Sequence, residues 1–225
     1  MFFDSTYPIF CRWFLVVLST GLFLLTTHEN FRSLTGISII LGFVLTTCVG
    51  ILFHRRFSNT ENVLNFISKS CLTLIYTCFL PASVAWTLQS NNGIEWFLCL
   101  LAVVFAGDIG AYIFGVNFGH IKIAPQLSPN KSLQGALGGL LFSTVTACLF
   151  SFVLPNTPIL VFAVCGLLGG FLGQVGDFFE STLKRVAGVK DSGTIMPGHG
   201  GILDRLDGVL LAGPLFYLAA TYFSL

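Results

Sequence analysis

Ser132 to Gly176 reads SLQGALGGLLFSTVTACLFSFVLPNTPILVFAVCGLLGGFLGQVG, without one formally charged side chain. Its centre, Pro155-Asn156-Thr157-Pro158, is a turn signal. The apolar stretches on either side, Gly135–Leu154 and Ile159–Gly176, approach the roughly 20 residues needed to cross a bilayer. The run therefore predicts two spanning helices joined as a tight hairpin. Five more apolar stretches flank it: Ile9–Thr27, Leu34–Phe53, Val63–Leu88, Ile94–Val116 and Gly208–Leu225. The expected architecture is all-α, a polytopic integral membrane protein of about seven transmembrane helices.

Composition agrees. Of 225 residues, 54% are hydrophobic and 9% charged, and the mean hydropathy is +0.85. Soluble chains carry roughly 25% charged residues, so a soluble fold is excluded, as are disorder, collagen and coiled coil. All seven cysteines (Cys11, Cys48, Cys71, Cys78, Cys99, Cys148 and Cys165) lie in apolar runs. They read as small buried hydrophobes, not as bridges or metal ligands. A net charge of +1 provides no global field to recruit nucleic acid. Lys69, near the start of the long stretch Val63–Leu88, implies an interfacial first turn or a snorkelling side chain. No small-residue cleavage site follows the first apolar run, so that span is expected to be retained.

Basic residues set the expected orientation. With seven spans, Arg12, Arg55, Arg56, Lys122, Lys131, Lys184, Arg185, Lys190 and Arg205 fall on one side and Arg32 on the other. The amino terminus and the two long polar loops are therefore expected to be cytoplasmic, with the carboxyl terminus outside.

The polar residues gather in two segments on that expected cytoplasmic side, about Phe118–Gln134 and Asp177–Asp207. As helix, Asp177, Glu180, Ser181 and Lys184 share one face at i, i+3, i+4 and i+7. Asp204 and Asp207, at i and i+3, open the last span. Two helices thus present carboxylates, hard oxygen ligands suited to Mg²⁺. Between them lie Lys184, Arg185, Lys190, Arg205 and the glycine-rich Pro197–Gly201 turn. Basic side chains neutralise phosphate, and glycines let backbone approach it closely. The combination points to a metal–polyphosphate site of the kind that serves phosphoryl and nucleotidyl transfer. The plainer alternative is topology-setting lysines and arginines, local ion pairs and an ordinary loop.

The earlier segment adds Asp108, a carboxylate within an apolar stretch and by default a functional residue. A hydrogen bond to a neighbouring span, such as to Ser143 or Thr146, is its structural alternative. In Leu127-Ser128-Pro129-Asn130-Lys131-Ser132, Ser128 and Ser132 suit capping roles. The functional alternative has Ser128, Lys131 and Ser132 holding phosphate.

The run Ser181-Thr-Leu-Lys-Arg-Val-Ala-Gly-Val-Lys-Asp-Ser-Gly-Thr-Ile-Met-Pro-Gly-His-Gly-Gly-Ile-Leu-Asp-Arg-Leu-Asp207 resembles the full signature of the phosphatidate cytidylyltransferase (CDP-diacylglycerol synthase) family. Asp108-Ile-Gly-Ala-Tyr112 and Ser128-Pro-Asn-Lys-Ser132 resemble a second motif region of that family. The likeness runs from about Ala102 to the carboxyl end. Val116, His120 and Gln134 depart from it, standing where the family usually has a basic residue, a lysine or arginine, and an acid.

The resemblance implies that CTP and phosphatidic acid yield CDP-diacylglycerol and pyrophosphate, with Mg²⁺ required and K⁺ as second cation. It places the metal on Asp177 and Asp204, and Asp108 is expected to line a polar funnel and help hold a cation. The expected catalytic set is Asp177, Lys184, Arg185, Lys190, Asp191, His199, Asp204, Arg205 and Asp207, His199 either touching pyrophosphate or holding its turn. Ser128, Lys131, Ser132, Ser181, Ser192, Gly200 and Gly201 are expected to bind substrate. Residues 1–92 would supply amino-terminal helices and 93–225 the catalytic region of one membrane domain. The expected location is a bacterial inner membrane, with the lipid bilayer as partner, no nucleic acid, and a homodimer as an open oligomeric state. The competing classes are a CTP-dependent polyprenol- or phytol-type lipid kinase, an ion-coupled transporter and a structural subunit.

Overall fold

The computed structural model of the chain describes residues 7–125, 127–189, 192–193 and 201–223. Among these, seven helices are long and apolar enough to cross a membrane. The chain divides into two compact units, Met1–Ala82 and Ser83–Leu225, with the boundary inside the third span.

In the first unit, α1 (Ile9–Thr27), α2 (Thr35–Leu52) and α3 (Thr60–Leu74) pack around Tyr7, Cys11, Leu15, Phe57, Val63 and Phe66. The Asn59 side chain caps α3 by accepting from the Asn62 N–H at 2.8 Å. The third span continues through a π-helical turn, Ile75–Phe79, into α4 (Leu80–Leu88). Pro81 has no N–H to return to Thr77, and the wider turn directly before it absorbs the missing bond. The Lys69 ammonium lies 5.3 Å from the centroid of the Tyr7 ring.

The second unit holds α5 (Gly93–Phe118), a β-hairpin of β1 (Lys122–Ala124) and β2 (Ser128–Ser132), α6 (Leu133–Leu149), α7 (Ile159–Val186) and α8 (Leu203–Phe223). Its core is built on Trp96, Leu100, Val103, Phe162 and Phe216, with the Trp96 and Phe162 rings stacked at 5.3 Å. The turn expected at Pro155–Pro158 lies between α6 and α7.

Water does not drive helix association inside a bilayer, so close backbone approach and interhelical hydrogen bonds carry it. The sequence supplies both. Gly107 on α5 and Gly170 on α7 face Ser143 of α6, whose hydroxyl donates to the Val103 carbonyl at 2.8 Å. The Gln174 amide of α7 donates to the Ala136 carbonyl at 3.0 Å. Bonds of this kind average about 0.6 kcal/mol each, so the glycine seams matter at least as much. The bond from Ser143 to Val103 also means that this hydroxyl serves α5 backbone, not Asp108.

One local feature differs from expectation, and two helices run past their apolar stretches, as the spacing of their polar residues predicts. The segment around Ser128-Pro129 is a strand and not a capped loop; it pairs antiparallel with β1, Lys122 opposite Ser132 and Ala124 opposite Ser128. The sixth span does not stop at Gly176 but continues to Val186 as one helix of 28 residues. At 1.5 Å per residue this is about 42 Å, longer than the roughly 30 Å hydrocarbon core. The surplus is the polar stretch from Asp177 onward. The last helix begins at Leu203, ahead of Gly208, so Asp204 and Asp207 belong to its first turns.

A Cβ added at Gly176 would stand 2.5 Å from the Asp207 carbonyl oxygen, backbone against backbone, whereas one at Gly21 would meet nothing within 4 Å. Gly176→Ala should therefore force α7 and α8 apart and lower the melting temperature of the purified protein, with a cost of roughly 1–3 kcal/mol. Gly21→Ala should leave it unchanged or slightly raised. Equal melting temperatures for the two variants would show that the α7–α8 contact does not limit stability.

Candidate active site

The site is built where α7 ends. Gly188 takes φ +66°, a left-handed conformation glycine adopts without penalty, and closes the helix. The Val189 N–H returns to the Lys184 carbonyl at 3.0 Å and the Gly188 N–H to the Arg185 carbonyl at 3.1 Å. This is a Schellman ending, and it fixes Lys184 and Arg185 in the last turn, where the helix dipole favours cations.

Lys184 joins two helices. Its ammonium lies 2.5 Å from Glu180 on its own helix and 2.8 Å from Oδ1 of Asp204 on α8. The second Asp204 oxygen accepts from the Ser192 N–H at 2.9 Å, the Ser192 hydroxyl at 2.7 Å and the Gly201 N–H at 2.7 Å. Asp204 thus ties α7, α8 and both described ends of the connecting loop together. Glu180 is 1% exposed, so this ion pair is buried on the carboxylate side.

The β-hairpin forms the opposite side. Ser132 caps α6 by accepting from the Gly135 N–H at 3.2 Å, as its position predicts. Gln134 accepts from the His120 and Ile121 N–H groups, each at 3.2 Å, so the amide standing in place of an acid closes the base of the hairpin. Lys131 forms an ion pair with Asp177 and lies 4.1 Å from the centroid of the Phe178 ring.

Two cavities flank this hairpin. The larger, about 570 Å³, has Asp108, Asp177, Lys122 and Lys131 on its wall beside apolar surface from Tyr112, Val116 and Phe178. The smaller, about 240 Å³, is lined by Ser128, Asn130, Ser181, Lys184 and Arg185 with Leu127, Pro129 and Val189. Asn130 belongs to both walls.

The expected residues therefore fall into three groups. Asp108, Asp177, Lys131 and Ser132 meet at the larger cavity, and Ser128, Ser181, Lys184 and Arg185 at the smaller. Ser192 and Gly201 join Lys184 at Asp204. Asp207 is buried on α8, where it accepts from the Gly208 N–H at 2.8 Å, and Arg205 is exposed; neither lines either cavity. Lys190, Asp191, His199 and Gly200 lie outside the described residues. Sequence reasoning did not include Glu180, Lys122, Asn130, Gln174, Tyr112 or Phe178 in the site. Glu180 was within reach, since it shares the face of Asp177 and Lys184. The others depend on the hairpin and on helix rotation.

The carboxylates are suited to a hard cation. Among the described residues no three His, Cys, Asp or Glu side chains converge to hold an ion unaided. Mg²⁺ does not need such a cage, because one or two carboxylates plus substrate phosphates hold it. Asp177 and Asp204 are each paired with an ammonium group, from Lys131 and Lys184. Glu180, buried and paired with the same Lys184, lies beside the second.

With this geometry in view, likeness to known proteins is specific. The sequence model of the Cytidylyltransferase family matches residues 2–223. A phosphatidate cytidylyltransferase of Bacillus subtilis is 34% identical over 218 residues, covering 92% of this chain and 78% of that protein. One from Staphylococcus saprophyticus is 42% identical over 158 residues, 66% of this chain and 61% of the relative. One from Mycobacterium tuberculosis is 35% identical over 161 residues, 70% of this chain and 49% of the relative. The chain thus spans most of the first relative and about half to three fifths of the other two. By a match that takes in both units and the whole site, this chain belongs to the cytidylyltransferase family.

Proposed function

We propose that the chain is a phosphatidate cytidylyltransferase of phospholipid biosynthesis, converting CTP and phosphatidic acid to CDP-diacylglycerol and pyrophosphate. One observation carries the reading beyond the family: the larger cavity joins an apolar wall of spanning helices to the Lys131–Asp177 ion pair. Such a surface suits an anionic lipid. The proposed setting is a bacterial inner membrane, with the site, the amino terminus and both polar loops facing the cytoplasm, where CTP is available.

In the reaction a phosphatidate oxygen forms a bond to the α-phosphorus of CTP. The bond from that phosphorus to the oxygen bridging toward the β-phosphorus breaks, and pyrophosphate leaves with the electron pair. The lipid phosphate is already ionised, so no side chain has to remove a proton. The barrier is repulsion between two anions, and fixed positive charge lowers it by electrostatic stabilisation. Lys131 and Lys122 face the larger cavity and Lys184 and Arg185 the smaller, so cationic side chains approach the reacting phosphates from both sides. Arg205, exposed on α8, adds to that field. Asp177 and Asp204 would hold Mg²⁺, with K⁺ as the second cation; the bound ions would supply charge neutralisation between phosphate oxygens. Asp204 also ties Ser192 and Gly201 to Lys184.

The deciding assay uses purified chain in lipid–detergent micelles, phosphatidic acid, Mg²⁺, and CTP labelled in turn at the α- and γ-phosphate. The α-label should enter lipid and the γ-label should leave as pyrophosphate. Transfer of the γ-label to a lipid would establish the kinase alternative instead. Chelation by EDTA should abolish turnover, and Mg²⁺ should restore it.

Asp177→Asn and Asp204→Asn should each lower kcat at least about a hundredfold, equivalent to roughly 3 kcal/mol of transition-state stabilisation. Both proteins should still insert and purify. Near-normal turnover of either variant at saturating Mg²⁺ would remove that residue from the cation site. Asp108→Asn keeps the hydrogen-bonding shape and removes the charge, so wild-type activity with wild-type Mg²⁺ dependence would make Asp108 a packing residue.

A further inference from the structure

We infer that the two cavities divide the substrates: the smaller takes the β- and γ-phosphates of CTP, and the larger takes phosphatidate. This rests on the cytidylyltransferase reading above and assigns each substrate to named walls.

The smaller cavity has the cationic Arg185, Lys184, whose ammonium is shared with Glu180 and Asp204, and three neutral side chains able to donate hydrogen bonds, Ser128, Asn130 and Ser181. Among the described residues no acid lines it. Among the same residues Arg185 is exposed and has no ion-pair partner. A donor-rich wall without carboxylates selects polyanions. At about 240 Å³ it is smaller than the roughly 300–1,000 Å³ of whole-ligand sites, so it accommodates part of a ligand. The larger cavity, about 570 Å³, lies within that range. Its apolar residues Tyr112 and Val116 are 72% and 68% exposed on a spanning helix, a surface that lipid covers. Glycerol and the first acyl carbons fit there, next to Lys131.

The reaction requires such a division. Attacking and leaving oxygens lie roughly in line on opposite sides of the phosphorus. The walls are contiguous at Asn130 of β2, and α7 presents Asp177 to one cavity and Ser181 to the other. Four residues of helix separate these by about 6 Å of rise. A phosphatidate oxygen arriving from the larger cavity and pyrophosphate departing into the smaller satisfy the in-line condition, with the α-phosphorus beside Asn130.

The test measures both Michaelis constants on the full chain, with inorganic pyrophosphate as a product inhibitor. Arg185→Gln and Ser181→Ala should each raise KM for CTP and weaken pyrophosphate inhibition, by about tenfold for the arginine, with KM for phosphatidate changing less than about twofold. Tyr112→Ala should raise KM for phosphatidate and leave both nucleotide constants in place. Wild-type chain that forms no CDP-lipid would defeat the functional reading itself. Active wild type in which Arg185→Gln or Ser181→Ala shifts the phosphatidate constant, both substrate constants together, or neither would overturn the division of cavities alone.

Discussion

Lys184 is the point on which the site depends. One ammonium group satisfies a buried carboxylate on its own helix and another at the start of α8. Removing one member of a buried ion pair leaves the other uncompensated and costs roughly 3–5 kcal/mol. The arrangement holds Ser192 and Gly201 at the start of α8. The rest of the site is hung from it: Ser192 and Gly201 are fixed by Asp204, and Arg185 is fixed by the helix ending that also positions Lys184.

The length of α7 connects this polar centre to the membrane. A helix that stopped with its apolar run would leave Asp177 in a loop. Because it continues to Val186, its polar face is a rigid extension of a packed span. Catalytic charges held on rigid helix need little reorganisation when substrates arrive. The hairpin, pinned at its base by Gln134 and through Ser132 to α6, provides the matching rigid wall.

Much of this is legible in the chain. Seven apolar stretches correspond to seven spans, because hydrophobic length is a strong constraint in a bilayer. Helical spacing by itself puts Asp177, Ser181 and Lys184 on one face. The hairpin is not legible: β1 has three residues and β2 carries Pro129, so neither shows an alternating pattern. The split of the expected substrate-binding residues between two cavities is equally hidden, since Ser128 and Lys131 are near in sequence but line different walls. Glu180 is visible on the right face, but no pattern signals burial of a carboxylate at a helix end.

The glycine seams have a consequence for how such a sequence can drift. Where α5, α6, α7 and α8 meet at Gly107, Gly139, Gly166, Gly170 and Gly176, the nearest neighbour of an added methyl group would lie 2.5–2.7 Å away. These positions have no smaller residue to change into and no room for a larger one. Leu137, Leu141, Val145 and Phe171 on the outer surfaces are all more than half exposed, and any apolar side chain serves there. Mutational tolerance is thus divided by helix face: lipid-facing positions are free to diverge while the spacing of the catalytic helices stays constant.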